Sequence, residues 1–427
     1  MFLSAQEMKK LFFINDTLEN KISYFLLGFF LIALPFQHFF SEIVLSCFTI
    51  HILIHLRKTN LQTLKNKSVW IISSVFFLSL ATIIYSNNVS EGLKEVDHQL
   101  AILLFPFCLS VMNLELEKYR YFFLKIFAYT CTITIVYLFF DAFRVIHYYH
   151  NSWSSIFTAP FLNQNFSGPI DLHATYLSMY VALSISIFLN LFFLNPGFKN
   201  WKYILFTLIL FAGLIQLSSR SVFVAICLIV MITLPVLLLH GKERLHFSIV
   251  SLLAFLFLFL AITNINGFKK RYINDLEDDL SQTAVTPDLT ETRMRRWGLE
   301  LEIIGQSPVI GYGGGSEKNI LQKNYFEKKF YRSYLVELNA HNQYFSFLIK
   351  AGMIGLFLYL YILYFSFSKA IKKKNFIFLS FLILISVVSL SENILDVNKG
   401  IFFYSFFLSL FLLSDSKEQI NIVTERH

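Results

Sequence analysis

Three side chains in this sequence combine a reactive or charged group with a position beside an apolar run. His341 stands where hydrophobicity resumes after the longest polar stretch, and Arg220 lies in a short turn between two apolar runs. Arg293 belongs to an amphipathic segment inside the polar stretch. A neutral imidazole can act as a general base, and a guanidinium can bind a phosphate through two parallel hydrogen bonds. Base catalysis at His341 and phosphate or diphosphate binding at the arginines are the chemistry that these residue types allow.

Each of these residues also has a structural explanation. Arg220 can extend from the membrane interface to lipid phosphate, and an interfacial histidine is more often structural than catalytic. The segment 290–304 has a helical pattern that places Arg293, Trp297 and Leu301 on one face. Such a helix can lie on a membrane surface with Trp297 and Leu301 toward the lipid. The residues alone leave both interpretations open.

No metal or cofactor site is expected. The acidic residues Asp275, Glu277, Asp278 and Asp279 lack the spacing of a calcium loop and are typical of a solvated face. The glycines of 311–315 lack the Lys-Ser/Thr of a phosphate-binding loop, so they indicate a flexible hinge or a tight turn. The four cysteines have no paired spacing, and neither a metal site nor a disulfide framework follows from them.

The composition is that of an integral membrane protein. Of the 427 residues 56% are hydrophobic and 15% are charged, and the mean hydropathy is +0.58. Soluble domains carry about 25% charged residues. A formal charge of +8 would suggest a nucleic-acid partner in a soluble chain, but here the basic residues lie mostly between apolar runs. They are therefore expected to set membrane topology, and no nucleic-acid partner is expected.

The apolar runs predict about twelve transmembrane helices of roughly 20 residues, some of them shorter. The predicted helices lie near residues 22–40, 43–56, 69–86, 99–113, 121–143, 174–195, 202–217, 221–240, 245–265, 343–368, 375–391 and 400–414. The expected domains are a cytoplasmic N-terminal segment (1–21), helices one to nine (22–265), a large outer loop with short helices (266–342), helices ten to twelve (343–414) and a cytoplasmic tail (415–427).

The basic residues also predict the orientation of the helices. With the N-terminus in the cytoplasm, twenty Lys and Arg residues fall in cytoplasmic segments, while the short loops on the other side hold only Lys94, Arg144, Arg220 and Lys399. Lys and Arg accumulate in the cytoplasmic loops of membrane proteins, whereas long loops cross regardless of charge. Both termini are therefore expected in the cytoplasm, and the loop 266–342 is expected to face outward.

Seven short motifs follow one another between residues 170 and 400. They are His-x-Thr-Tyr at 173–176, Ser-Arg-Ser at 219–221, Arg-x-x-x-Trp at 293–297, Pro-x-x-Gly-x-Gly at 308–313, His-Asn-x-Tyr at 341–344, Gly-x-x-Gly at 352–355 and Ser-Glu at 391–392. Their order, on a twelve-span topology with a large outward loop before the histidine motif, resembles the O-antigen ligase and polymerase superfamily of bacterial envelope glycosyltransferases.

The resemblance implies an all-α, GT-C-like transferase that needs no metal or other cofactor and acts on the periplasmic side of the bacterial inner membrane. Such enzymes move a glycan from undecaprenyl diphosphate to an acceptor, either the sugar of lipid A-core or a growing glycan. The resemblance implies that His341 is the general base and that Arg220 and Arg293 bind the diphosphate. The further substrate contacts expected are Arg296, Trp297, His173, Tyr176, Asn342 and Glu392.

Several alternatives stay open at this level. Arg295 and Arg296 lie close enough to Arg293 that any of the three is a possible phosphate ligand. A ligase is preferred to a polymerase because a single dominant outer loop lies late in the chain, whereas polymerases more often divide their loop material. A transporter of lipid-linked sugars would also need a basic cavity, but the apolar runs hold few charges and show no obvious repeat.

Overall fold

All regular structure in the described part of the chain is helical. The computed structural model describes residues 14–194, 197, 200–280 and 291–414. Residues 1–13 of the predicted N-terminal segment, 281–290 of the predicted loop and the whole predicted tail (415–427) lie outside the described residues. Twelve helices among the described residues overlap the twelve predicted segments one by one, with ends that differ by up to seven residues. They are Leu18–Ala33, His38–Ile54, Lys67–Thr82, Leu100–Val111, Leu116–Tyr148, Ala174–Leu194, Trp201–Leu217, Arg220–Leu238, Lys242–Thr263, Gln343–Lys372, Phe376–Val388 and Asn398–Ser414.

Several of these helices are long and apolar enough to cross a membrane, which makes the chain a multi-pass membrane protein. Six segments meet both conditions within the described residues: Lys67–Tyr85, Leu116–Tyr148, Ala174–Leu194, Arg220–Leu238, Lys242–Ala261 and Gln343–Lys372. The other apolar helices are shorter than the roughly 20 residues that a straight crossing needs. The count of twelve crossings, the domain limits and the sidedness of the loops stay predictions.

Two helices form the centre of the bundle. Nearly all side chains of Ala174–Leu194 and Asn398–Ser414 are buried. Four of their serines are compatible with burial because the hydroxyl donates to a carbonyl one turn back, as Ser405 does to the carbonyl of Ile401 at 2.6 Å. The helix Lys242–Thr263 lies at the opposite extreme, with most of its described side chains exposed. An exposed apolar helix of this length is suited to a lipid-facing position.

The predicted loop 266–342, which we call the loop domain, has its own helices and its own small core. The helices are Asn266–Lys269, Asp275–Leu280, Arg293–Gln306, Ser316–Glu327 and Tyr331–Leu335, and the core contains Leu299, Ile303, Ile304, Leu321, Tyr325, Phe330, Ala340 and Ile349. Ile349 belongs to Gln343–Lys372, so this core joins the loop domain to the helix that carries the histidine motif.

The Arg293–Gln306 helix, called the arginine helix below, confirms the predicted helix but changes its buried face. Thr292 caps it by accepting a hydrogen bond from the backbone N–H of Arg295 at 3.3 Å. Leu299 and Ile303 are buried in the core of the loop domain, while Leu301 is exposed. The helix therefore packs within the loop domain through a face that the expected surface-lying arrangement did not include.

The glycine-rich turn is a tightly packed connection. The long helix Gln343–Lys372 is interrupted at Gly352, whose φ of 61° and ψ of −154° are open essentially to glycine alone. The interruption frees the carbonyls of Ile349 and Lys350, which accept hydrogen bonds from the backbone N–H groups of Tyr312 and Gly313 at 2.8 and 2.9 Å. The tight-turn interpretation of 311–315 is therefore correct, and the turn is fixed against a helix break.

Candidate active site

A fixed turn presents His341 at the entrance to the Gln343–Lys372 helix. The Asn339 side chain accepts a hydrogen bond from the His341 backbone N–H at 3.0 Å, and His341 has a positive φ of 46°. Asn342 is buried, and its side-chain oxygen caps the helix by accepting from Tyr344 and Phe345 at 3.0 and 3.3 Å. Asn342 therefore has a structural role, and its predicted contact with substrate stays a prediction.

His341 faces a carboxylate from a distant part of the chain. Its Nδ1 lies 3.4 Å from Oε2 of Glu392, and the Thr175 hydroxyl donates to Oε1 of the same carboxylate at 3.3 Å. Burial acts to raise the pKa of Glu392, but the hydrogen bond from His341 and the nearby charges of His341, His173 and Arg293 lower it below its usual value. Glu392 is thus ionised at neutral pH. In the neutral His341 tautomer with its proton on Nδ1, the Nδ1–H group faces the Glu392 carboxylate, and Nε2 is the basic nitrogen.

The motif residues His173 and Tyr176 lie beside the same carboxylate. His173 precedes the Ala174–Leu194 helix, and its Nδ1 accepts from the Thr175 backbone N–H at 3.3 Å. Its ring packs edge-on against Tyr176, with 5.7 Å between ring centroids. His173 also lies within electrostatic range of Glu392 and His341. His173 is exposed whereas Tyr176 is buried, so His173 is the more accessible of the two to a ligand.

The arginines gather around two acidic residues. Arg220 pairs with Asp279 at 2.5 Å, and about a fifth of its side chain is exposed. The pKa of Arg293 is lowered, mainly because the side chain is buried. The carboxylates of Asp279 and Glu392 act to raise this pKa, whereas the neighbouring arginines, Arg220 among them, lower it further. Arg293 is therefore within electrostatic range of both the Arg220–Asp279 pair and Glu392 of the His341–Glu392 pair. Asp279 is also the partner of Arg220, a contact that the expectation of a solvated acidic face did not include.

The three arginines of the arginine helix point to different partners. Arg293 lies among Asp279, Glu392 and Arg220 as described. Arg295 is exposed and stacks on the Phe330 ring, 5.0 Å from its centroid. Arg296 turns back to donate to the carbonyl of Glu291 at 3.0 Å. Of the three, Arg293 interacts electrostatically with Glu392, the partner of His341, and which of them binds phosphate stays a prediction.

Four buried N–H groups at this place have no hydrogen-bond acceptor among the residues that the structure describes. They belong to Nη1 of Arg220, Nε of Arg271, Nε of Arg293 and Nε1 of Trp297. A buried donor without a partner costs about 1–3 kcal/mol, and more when it is charged. Three of the four donors are on guanidinium groups. A ligand that supplies several anionic oxygens, as a diphosphate does, would satisfy them.

The acidic residues of this region pair with arginines. Asp275 lies 3.4 Å from Arg271, in addition to the Asp279–Arg220 pair. Within residues 14–280 and 291–414, apart from the short gap before residue 200, no three His, Cys, Asp or Glu side chains come together as metal ligands. Whether the protein works without a metal stays a prediction.

Sequence reasoning missed Arg271, the hydrogen bond from Thr175 to Glu392, and the pairing of Asp275 and Asp279 with arginines. Arg271 had a weak signal, since it is one of three consecutive basic residues after an apolar run. A stronger missed signal is Lys350, because it is a cation inside a predicted span. In the structure its ammonium lies within 3.4 Å of three carboxylates. Charges inside apolar segments usually have a specific partner or function.

Residues 205–360 match the family model described as O-antigen ligase. This match supports membership of the chain in the O-antigen ligase superfamily. The matched segment contains Arg220, Arg293 and His341, whereas His173 and Glu392 lie outside it. No curated protein matches the chain. Membership of this superfamily indicates ligase- or polymerase-type activity on lipid-linked glycans in a membrane.

Proposed function

We propose that this O-antigen ligase superfamily member is a ligase-like glycosyltransferase. It moves a glycan from undecaprenyl diphosphate to an acceptor sugar of lipid A-core, on the periplasmic face of the bacterial inner membrane. The observation that carries the proposal is the position of the His341–Glu392 pair, 3.4 Å apart, beside Arg220 and Arg293, which have buried N–H groups without acceptors among the described residues.

His341 acts as the general base. Its Nε2 takes the proton from the acceptor hydroxyl while that oxygen forms a bond to the anomeric carbon of the donor sugar. The bond from the anomeric carbon to the diphosphate oxygen breaks, and its electron pair leaves with undecaprenyl diphosphate. Glu392 faces Nδ1 of His341 at 3.4 Å and its negative charge stabilises the imidazolium that forms.

Arg220 and Arg293 bind the diphosphate and stabilise it as the leaving group. The negative charge on the diphosphate increases as the bond to the sugar breaks, and cations held beforehand in a partly buried site stabilise that charge without reorganisation. The free energy of transfer comes from the donor linkage, so no nucleotide is required. Arg271 has the same kind of free N–H group as Arg293 and is expected to contact the same ligand.

The remaining motif residues are proposed to shape the substrate site around this centre. Trp297 lies one helical turn from Arg293, and its ring packs edge-on against Phe345 with 5.8 Å between centroids. His173 is exposed next to Glu392 and is placed to contact a sugar. Tyr176 supports His173 from its buried position, and Arg296 completes the positive field beside Arg293.

The proposal is tested by the lipopolysaccharide banding pattern of a strain that lacks the protein. The strain is complemented with wild type, with His341→Ala, or with the control His246→Ala, which removes an exposed imidazole in another helix. For a ligase, the ladder is lost without the protein and with His341→Ala, full-length polymer accumulates on the lipid carrier, and the control restores the ladder.

Two other outcomes would point elsewhere. A single-repeat band in place of the ladder would identify a polymerase of the same superfamily, with a growing glycan as acceptor. An unchanged ladder would contradict both and would favour another glycan or transport of a lipid-linked sugar. With purified protein, His341→Ala is expected to lower kcat by about 10²- to 10⁴-fold, the usual contribution of a general base.

A further inference from the structure

A buried cluster of charged residues lies next to the candidate active site, and no step of the proposed reaction uses it. Its centre is Lys350, whose side chain is only 11% exposed. The Lys350 ammonium is surrounded by three carboxylates, Glu95 at 3.1 Å, Glu317 at 3.4 Å and Asp396 at 2.9 Å. These four residues come from four separate segments of the chain, so the cluster joins segments that are far apart in sequence. We call it the lysine cluster.

Glu317 is the most deeply buried acid of the lysine cluster, with 3% of its surface exposed. Its Oε1 accepts two hydrogen bonds, from the backbone N–H of Ala340 at 3.1 Å and from the Asn393 side-chain amide at 3.0 Å. Its Oε2 accepts from the Ser346 hydroxyl at 2.5 Å. Ala340 immediately precedes His341, and Asn393 immediately follows Glu392. One carboxylate oxygen therefore bonds to the neighbours of both members of the His341–Glu392 pair.

Further hydrogen bonds join the same two segments. The Asn342 backbone N–H donates to the Asn393 side-chain oxygen at 2.8 Å, so Asn393 bonds to the histidine segment with one end of its amide and to Glu317 with the other. The Gln343 backbone N–H donates to the carbonyl of Ser389 at 2.8 Å. The two segments are thus fixed around the pair, whose own contact of 3.4 Å is too long to hold them together strongly.

We propose that Glu317 is a positioning residue, which ties the segment carrying His341 to the segment carrying Glu392, with Lys350 as its counter-charge. The inference rests on the proposed function. The two segments lead into different helices, and their catalytic side chains are 51 positions apart, so their separation depends on this connection. A shift of about 1 Å in reacting groups can lower a rate about a hundredfold.

The connection can be tested without substrate by hydrogen exchange on the full-length protein in lipid nanodiscs. Glu317→Ala removes both acceptor oxygens, whereas Glu317→Gln keeps one carbonyl oxygen in place for Ala340 and Asn393. The control is Glu302→Ala, which removes an exposed carboxylate paired with Lys328 at 2.9 Å. We expect Glu317→Ala to increase exchange in peptides covering 338–346 and 390–396, Glu317→Gln to restore most of the protection, and the control to leave it unchanged.

Two results of the exchange experiment would overturn the proposal. One is wild-type protection of both segments in Glu317→Ala. The other is equal loss of protection in Glu317→Ala and Glu317→Gln, because then the charge and not the acceptor oxygen matters. If Glu317→Ala does not fold, Asn393→Ala breaks the same connection from the other end and is expected to release the same two segments.

Kinetics then separate positioning from a general structural role. In protein that remains folded, Glu317→Ala is expected to lower kcat about 10- to 100-fold and to change KM for the lipid-linked donor less than about twofold, since Arg220 and Arg293 are not bonded to Glu317. Equal loss in kcat and in donor binding, or an unchanged kcat, would contradict the proposal. If wild-type protein transfers no glycan, the proposed function fails, while the exchange result still decides whether Glu317 makes the connection.

Discussion

Replacing Arg220 with lysine tests how the site binds its anionic ligand. Arg220 uses one terminal nitrogen for Asp279 at 2.5 Å, and its other terminal nitrogen is buried without an acceptor in the described part of the chain. Lysine can keep the ion pair with Asp279, but it has a single nitrogen and cannot present a second, fixed N–H group. Arg220→Lys therefore removes one charge-assisted hydrogen bond to the diphosphate and preserves the local charge.

The expected loss follows from that single hydrogen bond. A hydrogen bond involving a charged group contributes about 1.5–3 kcal/mol, which corresponds to about a 10- to 150-fold decrease in kcat/KM at about 1.4 kcal/mol per tenfold. About a fifth of the Arg220 side chain is exposed, and solvent screening reduces such contributions. We therefore expect a decrease in the lower part of this range.

The assay measures initial rates of glycan transfer from a lipid-linked donor to the acceptor lipid, with purified protein in nanodiscs and products separated on a gel. The matched control is Arg244→Lys, which makes the same substitution at an exposed arginine bonded to the Leu239 carbonyl at 2.8 Å. Wild-type kcat/KM in Arg220→Lys would refute the assignment of Arg220 to the diphosphate. A loss of the same size in Arg244→Lys would show that the substitution acts through charge or protein quality in general.

Two further predictions concern stability, measured as the thermal unfolding midpoint in detergent. Gly352→Ala is expected to destabilise the protein by about 1–3 kcal/mol or more, because a Cβ at residue 352 would lie 2.3 Å from the Val309 carbonyl. The control Gly298→Ala should stabilise the protein by about 1 kcal/mol, because a Cβ at residue 298 has nothing within 4 Å. The reverse order of unfolding midpoints would contradict the helix break. Burial, followed by the charge of Glu317, raises the pKa of Glu300 well above its usual value, so its stabilising contribution is present at low pH and is lost as pH rises through the folded-state pKa. Glu300→Gln should therefore unfold with a smaller decrease in midpoint on going to alkaline pH than wild type or Glu302→Gln, and equal pH dependence in all three would be inconsistent with a buried neutral Glu300.

The positions of the apolar helices could be predicted because they depend on local composition. A run of apolar residues that must satisfy its backbone hydrogen bonds in lipid forms a helix wherever the chain places it. The arginine helix was also predictable, since its spacing of Arg293 and Trp297 and its Thr292 cap are local features. Its buried face could not be predicted, because Leu299 and Ile303 are buried by the rest of the loop domain and by Ile349, none of which the local pattern reveals.

The candidate site divides in the same way. The sequence by itself determined that His341, Arg220 and Arg293 carry the chemical groups and that they lie beside apolar runs. Only the tertiary structure decided that His341 faces Glu392, that Arg220 pairs with Asp279, and that Lys350 lies among three carboxylates. Helix formation depends on neighbours within a few residues, whereas the pairing of buried charges depends on which segments the whole chain brings together, and each such charge needs its partner to be stable there.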